Sequence, residues 1–125
     1  MDEKKERRAR LTAALRSGEF EQHRGSLRDD HGYCCLGVAC ELYRRETGVG
    51  EWVGWTFEID GDGDAQVMLP DVSDYFGFTT TSGHYESHKR QLSIDNDGDS
   101  QLSIPPRSFD EIAQIIDDEP EGLIA

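Results

Sequence analysis

Two aspartate triplets share one spacing. IDGDGD runs from Ile59 to Asp64, and IDNDGD runs from Ile94 to Asp99. Carboxylates at alternate positions are the oxygen donors that a hard cation such as Ca²⁺ takes. Asp60, Asp62 and Asp64 meet positions 1, 3 and 5 of a helix–loop–helix calcium loop, and so do Asp95, Asp97 and Asp99. Position 6 is then Ala65 or Ser100 where that loop requires Gly, and position 12 is Asp71 or Pro106 where it requires Glu. Neither triplet lies between two helical patterns. A looser Ca²⁺ or Na⁺ site requires the two triplets to meet in space. The competing reading is two solvated hairpin tips, because Asp, Asn and Gly supply the positive φ angles and local side-chain hydrogen bonds of tight turns. The sequence is read in that second way, and no metal or other cofactor is assigned.

The thiols are the other reactive groups. Of Cys34, Cys35 and Cys40, the first two lie near the start of a helical pattern, where a helix dipole lowers a thiol pKa. His31, His84 and His88 are the candidate bases for a Cys–His nucleophile. The same residues offer zinc ligands, as HxxCC at His31 to Cys35 and HxxxH at His84 to His88. However, no CxxC spacing exists, and the two histidines share a face only if their stretch is helical. CCLGVAC also has the composition of a buried helix, since free Cys packs as a small apolar residue. No oxyanion-hole element accompanies the cysteines. They are therefore assigned to the core, no catalytic residue is named, and the chain is read as non-enzymatic. Three cysteines within seven residues make a poor disulfide framework and read as reduced, intracellular thiols.

The tryptophans suggest contact rather than catalysis. Val53, Trp55, Phe57 and Ile59 alternate with Gly54, Thr56 and Glu58, which predicts one strand. On such a strand Trp52 and Trp55 face opposite ways, one inward and one outward. An outward indole favours interfaces, so Trp52 and Trp55 are the interface candidates.

These groups must be held by a small set of elements. Good helix formers predict a helix over Asp2 to Ser17, stopped by Gly18, with its charged first turns in water. A connection follows to Gly32, anchored by Phe20 and Leu27. Leu36, Ala39, Cys40 and Tyr43 fall at i, i+3, i+4 and i+7 of a core-facing helix ended by Gly48. The tryptophan strand pairs with Ala65, Val67 and Leu69 in a hairpin. Pro70 opens a short helix closed by Gly77. QLSI at 91–94 and QLSI at 101–104 predict a second hairpin, Leu92 and Ile94 opposite Leu102 and Ile104. Ser108 and Glu111 form a capping box on FDEIAQIID, after which DDEPEGLIA is expected to fray. The order predicts an α+β fold with three to four helices on two antiparallel β-hairpins. It is one domain over residues 1–125, with 1–10 as a charged helix start and 119–125 as a frayed tail.

Charge bounds the partners. The 125 residues carry 26 acidic and 13 basic side chains, for a net charge of −13. Duplex DNA and anionic membranes repel such a surface, so no direct nucleic-acid or membrane contact is expected. No run approaches a membrane span, and the charged start carries no apolar leader. Ten arginines against three lysines, with abundant Asp, fit a protein that works at high salt. An ordinary acidic protein explains the same counts. So does an acidic surface that imitates the phosphates of DNA and occupies a DNA-binding host protein.

LRSGEFEQHRGSLR (Leu15 to Arg28), GYCCLGVACELY (Gly32 to Tyr43), LPDVSDYFGF and SFDEIAQIID resemble, in that order, a group of small uncharacterised accessory proteins of tailed viruses and proviruses. CCLGV is the most specific part. The resemblance implies a viral accessory protein and carries no activity. In the group an L-N-D-like segment leads directly into the last helix, whereas IDNDGDSQLSIPP intervenes here. The expectation is a small non-enzymatic viral protein that binds a host protein in the host cytoplasm. The alternatives are a structural component of a virion and, further off, the acidic DNA mimic or a Cys–His enzyme.

Overall fold

A computed structural model of the chain describes residues 2–86 and 90–125. His88, one of the candidate bases, lies outside the described residues.

Helix α1 (Glu3–Arg16) is capped by Asp2, whose carboxylate accepts from the Lys5 amide at 3.1 Å. Leu11 and Leu15 are buried, and the helix packs chiefly along the last helix. The charged first turns are mostly exposed, with one exception. Arg8 is buried and donates to the Phe76 carbonyl at 2.8 Å, satisfying an orphan acceptor at the end of another helix.

The connection to α2 (Cys35–Thr47) is anchored by Phe20 and Leu27, both buried, as the pattern predicts. Leu36, Val38, Ala39, Cys40 and Tyr43 form the buried face of α2, and Gly48 closes it in the left-handed conformation at φ 72°. A Cβ on Gly37 would overlap the Leu27 carbonyl, so glycine lets the connection lie directly on the helix.

The tryptophan hairpin is a three-stranded meander of β1 (Glu51–Val53), β2 (Thr56–Ile59) and β3 (Asp62–Asp64). The single strand expected through Trp52 and Trp55 is broken. Gly54, at φ 61°, and Trp55 form a two-residue turn that sets Trp52 opposite Phe57. Asp60 and Gly61, at φ 52° and 87°, make the next turn, the Asp-Gly signature of type I′. The expected strand at Ala65 to Leu69 does not form. Asp64 accepts the amides of Gln66 at 2.7 Å and Val67 at 3.0 Å, which bends the chain away.

Helix α3 (Pro70–Phe76) starts on its proline and buries Val72 and Phe76. A two-stranded sheet of β4 (His84–Tyr85) and β5 (Arg90–Gln91) leads into α4 (Leu92–Asp97). This corrects the second predicted hairpin: Leu92 to Asp97 is a helix. Ile104 instead bridges to Asp99, and Leu102 stands 63% exposed. Three alternating residues in LSI fit either period. The helix wins because it carries Leu92, Asp95 and Asn96 into the interior.

Helix α5 (Phe109–Asp118) has both halves of its capping box and buries Phe109, Ile112, Ala113 and Ile116. The tail beyond it does not fray. Leu123 is fully buried, its carbonyl accepts from the Thr79 amide at 2.9 Å, and the Ala125 amide donates to Gly77 at 2.8 Å. The fold is α+β, with five helices and two small antiparallel sheets among the described residues, where the sequence pattern predicts three to four helices. Among the described residues, no helix is long and apolar enough to cross a membrane.

Candidate functional site

The two triplets do different work. Asp60 is an exposed turn residue and Asp62 an exposed strand residue, whereas Asp95 is fully buried. Asp97 accepts from the Gly25 amide at 3.0 Å. Asp99 accepts from the amides of Gln101 at 2.9 Å and Leu102 at 3.1 Å, the same local duty that Asp64 performs. Among the described residues, no three His, Cys, Asp or Glu side chains gather as a metal ion requires.

Asp95 is instead the centre of a polar hub. Its carboxylate accepts from the Tyr85 hydroxyl at 2.5 Å and from Arg90 at 3.0 Å, with Arg107 at 3.7 Å. Burial, then the bond to Asp95, pushes the Tyr85 hydroxyl well above its ordinary range. The adjacent Asn96 side chain accepts from Gln22 at 2.9 Å and from the Cys35 amide at 3.1 Å. Its amide nitrogen donates to the His23 carbonyl and to Asp97, both at 2.9 Å. Helix α4 thus bolts the first connection, the start of α2 and the entry to α5 together. Sequence reasoning missed this hub. One signal marks it: Asn96 replaces Gly61 as the only difference between the two hexapeptides.

All three thiols lie in the core, where the composition of CCLGVAC places them. Cys34 is the N-cap of α2, and its sulfur accepts from the Gly37 amide at 3.3 Å. Burial nevertheless pushes this thiol up to about 12, outweighing the amide that favours the thiolate. Burial raises Cys35 and Cys40 as well, and Cys35 donates to the Leu92 carbonyl at 3.6 Å. His31 sits exposed in the first connection, and the His84 ring meets Ser82 at 2.9 Å and Thr80 at 3.2 Å. A nucleophile requires an accessible thiolate, which these positions do not provide.

The tryptophans separate into a structural one and a presented one. Trp52 is half-buried, stacks edge-on with Tyr33 and Phe57, and donates to Glu41 at 3.0 Å. Burial alone would raise the Glu41 carboxyl. Bonds from Arg44, Trp52 and Arg45 outweigh it and hold the group at about 2. Arg28 covers the Trp52 ring at 4.4 Å and grips the Gly54 carbonyl at 2.9 Å, which locks the β1–β2 turn against the first connection. Trp55, next in that turn, is 53% exposed.

Trp55 walls a groove of about 450 Å³ between the turn and the first connection. Phe20 and Tyr33, in edge-to-face contact at 5.1 Å, line it with Trp55. Glu19, Glu21, Asp29 and Asp30 are among its lining residues. Glu19 is committed to Arg45 at 2.7 Å. Asp29 accepts from the His31 and Gly32 amides, which draw its carboxyl below the ordinary range, and it also meets His23 at 3.2 Å. Asp30 receives only the Trp55 indole N–H, at a long 3.5 Å. Concave shape, aromatic lining and carboxylates short of partners make this groove the candidate functional site.

No curated protein and no solved structure matches the chain. Residues 3–120, from the first turn of α1 to just past α5, match a family model described as a domain of unknown function, and the chain belongs to that family, DUF8296.

Proposed function

We propose that the chain is a non-enzymatic accessory protein of viral or proviral origin that binds a host protein, with the Trp55 groove as its contact surface. The observation that carries the reading is the exposure of Trp55 on the wall of that groove, at 53%. Val53 on the same hairpin is also half exposed, at 50%. Large aromatic side chains set in a pocket are the groups that dominate protein–protein affinity. Arg28 fixes the turn from which Trp55 projects, so the backbone that carries the indole is ordered before any partner arrives, which lowers the entropy lost on binding. The burial of all three thiols supports a role without covalent catalysis. The acidic coat suits a cell of high internal salt, and the origin rests on the CCLGV-type motifs.

The test is comparative capture. The chain and its Trp55→Ala variant are immobilised and exposed to host lysate at native salt. A partner retained by the chain and reduced at least about tenfold by the variant supports the reading. Retention of the same proteins by both chains would refute it. Sedimentation at the same salt separates this role from that of a virion component, which self-associates.

A further inference from the structure

We infer that the Trp55 groove receives the guanidinium of an arginine from the partner. The inference rests on the reading of this groove as a docking surface and adds the chemistry of its occupant. The protein's own arginines supply the pattern. Arg7 lies over the Tyr75 ring at 4.1 Å and pairs with Glu3 at 3.3 Å. Arg45 lies over Phe20 at 5.2 Å and pairs with Glu19 at 2.7 Å and Glu41 at 2.8 Å. Arg28 lies over Trp52 at 4.4 Å and donates to a carbonyl.

Trp55 has the same ingredients: Asp30 lies 3.5 Å from its indole nitrogen, and Glu21 lines the same groove. Among the described residues, no cation lies over the Trp55 ring. The Glu21 carboxylate has no hydrogen-bond or ion-pair partner among the described residues, and Asp30 has only the long indole contact. An indole is the best aromatic face for a cation, and a planar guanidinium both stacks on it and forks between carboxylates. The net charge of −13 attracts a basic partner over longer range. Arg28, already spent on Trp52 and Gly54, is the single guanidinium of the groove lining and is paired with neither Glu21 nor Asp30.

The test uses the full ¹⁵N-labelled chain and the peptide acetyl-Gly-Arg-Gly-amide, followed by amide and indole shifts at near-physiological salt. Saturable shifts at the Trp55 indole, Asp30 and Gly32 support the site. The citrulline peptide, equal in shape and uncharged, is expected to bind at least about tenfold more weakly, and the lysine peptide several-fold more weakly. Trp55→Ala and Asp30→Asn are each expected to weaken the arginine peptide about five- to tenfold. Equal binding of arginine and citrulline, equal binding of arginine and lysine, or shifts spread over every acidic face would each overturn the inference. If host-protein capture depends on Trp55 while the arginine peptide fails to bind, the docking surface stands and the arginine falls. If the peptide binds and capture ignores Trp55, the guanidinium site stands and the docking role falls.

Discussion

Asp60 and Asp95 hold the same place in two hexapeptides that differ at one residue, yet Asp60 tips an exposed turn while Asp95 is fully enclosed and bonded to Tyr85 and Arg90. The environments demand opposite responses to the same change. Asp60→Asn keeps a residue type tolerant of positive φ and is expected to alter stability by less than about 0.5 kcal/mol. Asp95→Ala leaves a buried phenol and two partly exposed guanidinium groups without their acceptor and is expected to cost about 3 kcal/mol. Urea midpoints of the two variants check the contrast, and equal midpoints would remove the hub from this account.

The thiols should be kinetically protected. With Cys34 pushed up to about 12 by burial, little thiolate exists at pH 8. Iodoacetamide is expected to label the folded chain only as fast as it opens, and all three cysteines promptly in urea. Mass spectrometry of timed aliquots reads this directly. Rapid labelling of a single cysteine in the folded state would revive a nucleophilic role.

Glu41 makes stability sensitive to acid. Its carboxyl sits at about 2 in the folded chain against an ordinary 4.5, so the folded state favours the ionised form. That contribution is complete above about pH 4.5 and lost as pH falls toward 2. Because Arg44 and Arg45 are partly in solvent, the amount is about 1–2 kcal/mol rather than the full shift. Urea melts of the chain and of Glu41→Gln between pH 6 and pH 3 should converge as the medium becomes more acidic. Parallel curves would contradict the assignment.

The two tryptophans should part ways on truncation. Trp52→Ala removes ring contacts with Tyr33 and Phe57, the cover for Arg28 and the donor to Glu41, and is expected to cost about 2–4 kcal/mol. Trp55→Ala is expected to change stability by less than about 0.5 kcal/mol, so its effect on binding can be read without loss of fold. Thermal melts of both variants provide the check.

Gly37 has no room for a Cβ beside the Leu27 carbonyl. Gly37→Ala forces α2 away from the Leu27 carbonyl and is expected to cost about 1–3 kcal/mol or more, despite the better helix propensity of alanine. A gain in melting temperature would show that the connection yields easily.

Helices with long apolar stripes and caps were readable in the residues. α2 shows its i, i+3, i+4, i+7 face, and α5 adds a capping box that the structure satisfies on both sides. α4 was not readable as a helix. It has six residues and no side-chain cap, and it owes its conformation to partners far along the chain, such as Gln22 and Arg107. The tail was misjudged because a charged, proline-interrupted segment hides one core residue, Leu123. In the candidate site, Trp55 was legible as one of two interface candidates, and it is the exposed one. Asp30 and Glu21 were not, because long-range contacts such as the Arg28 clamp and the Tyr33–Trp52 ring pair bring the first connection beside the β1–β2 turn.

Helix α1 finds its principal companion at the opposite end of the sequence, with Arg16 gripping Asp117, 101 positions further along the chain. During translation, the face of α1 that packs on α5 must therefore wait until α5 has cleared the ribosome, so ribosomal stalling before that point would leave the Leu11 and Leu15 region incompletely covered and open to chaperones.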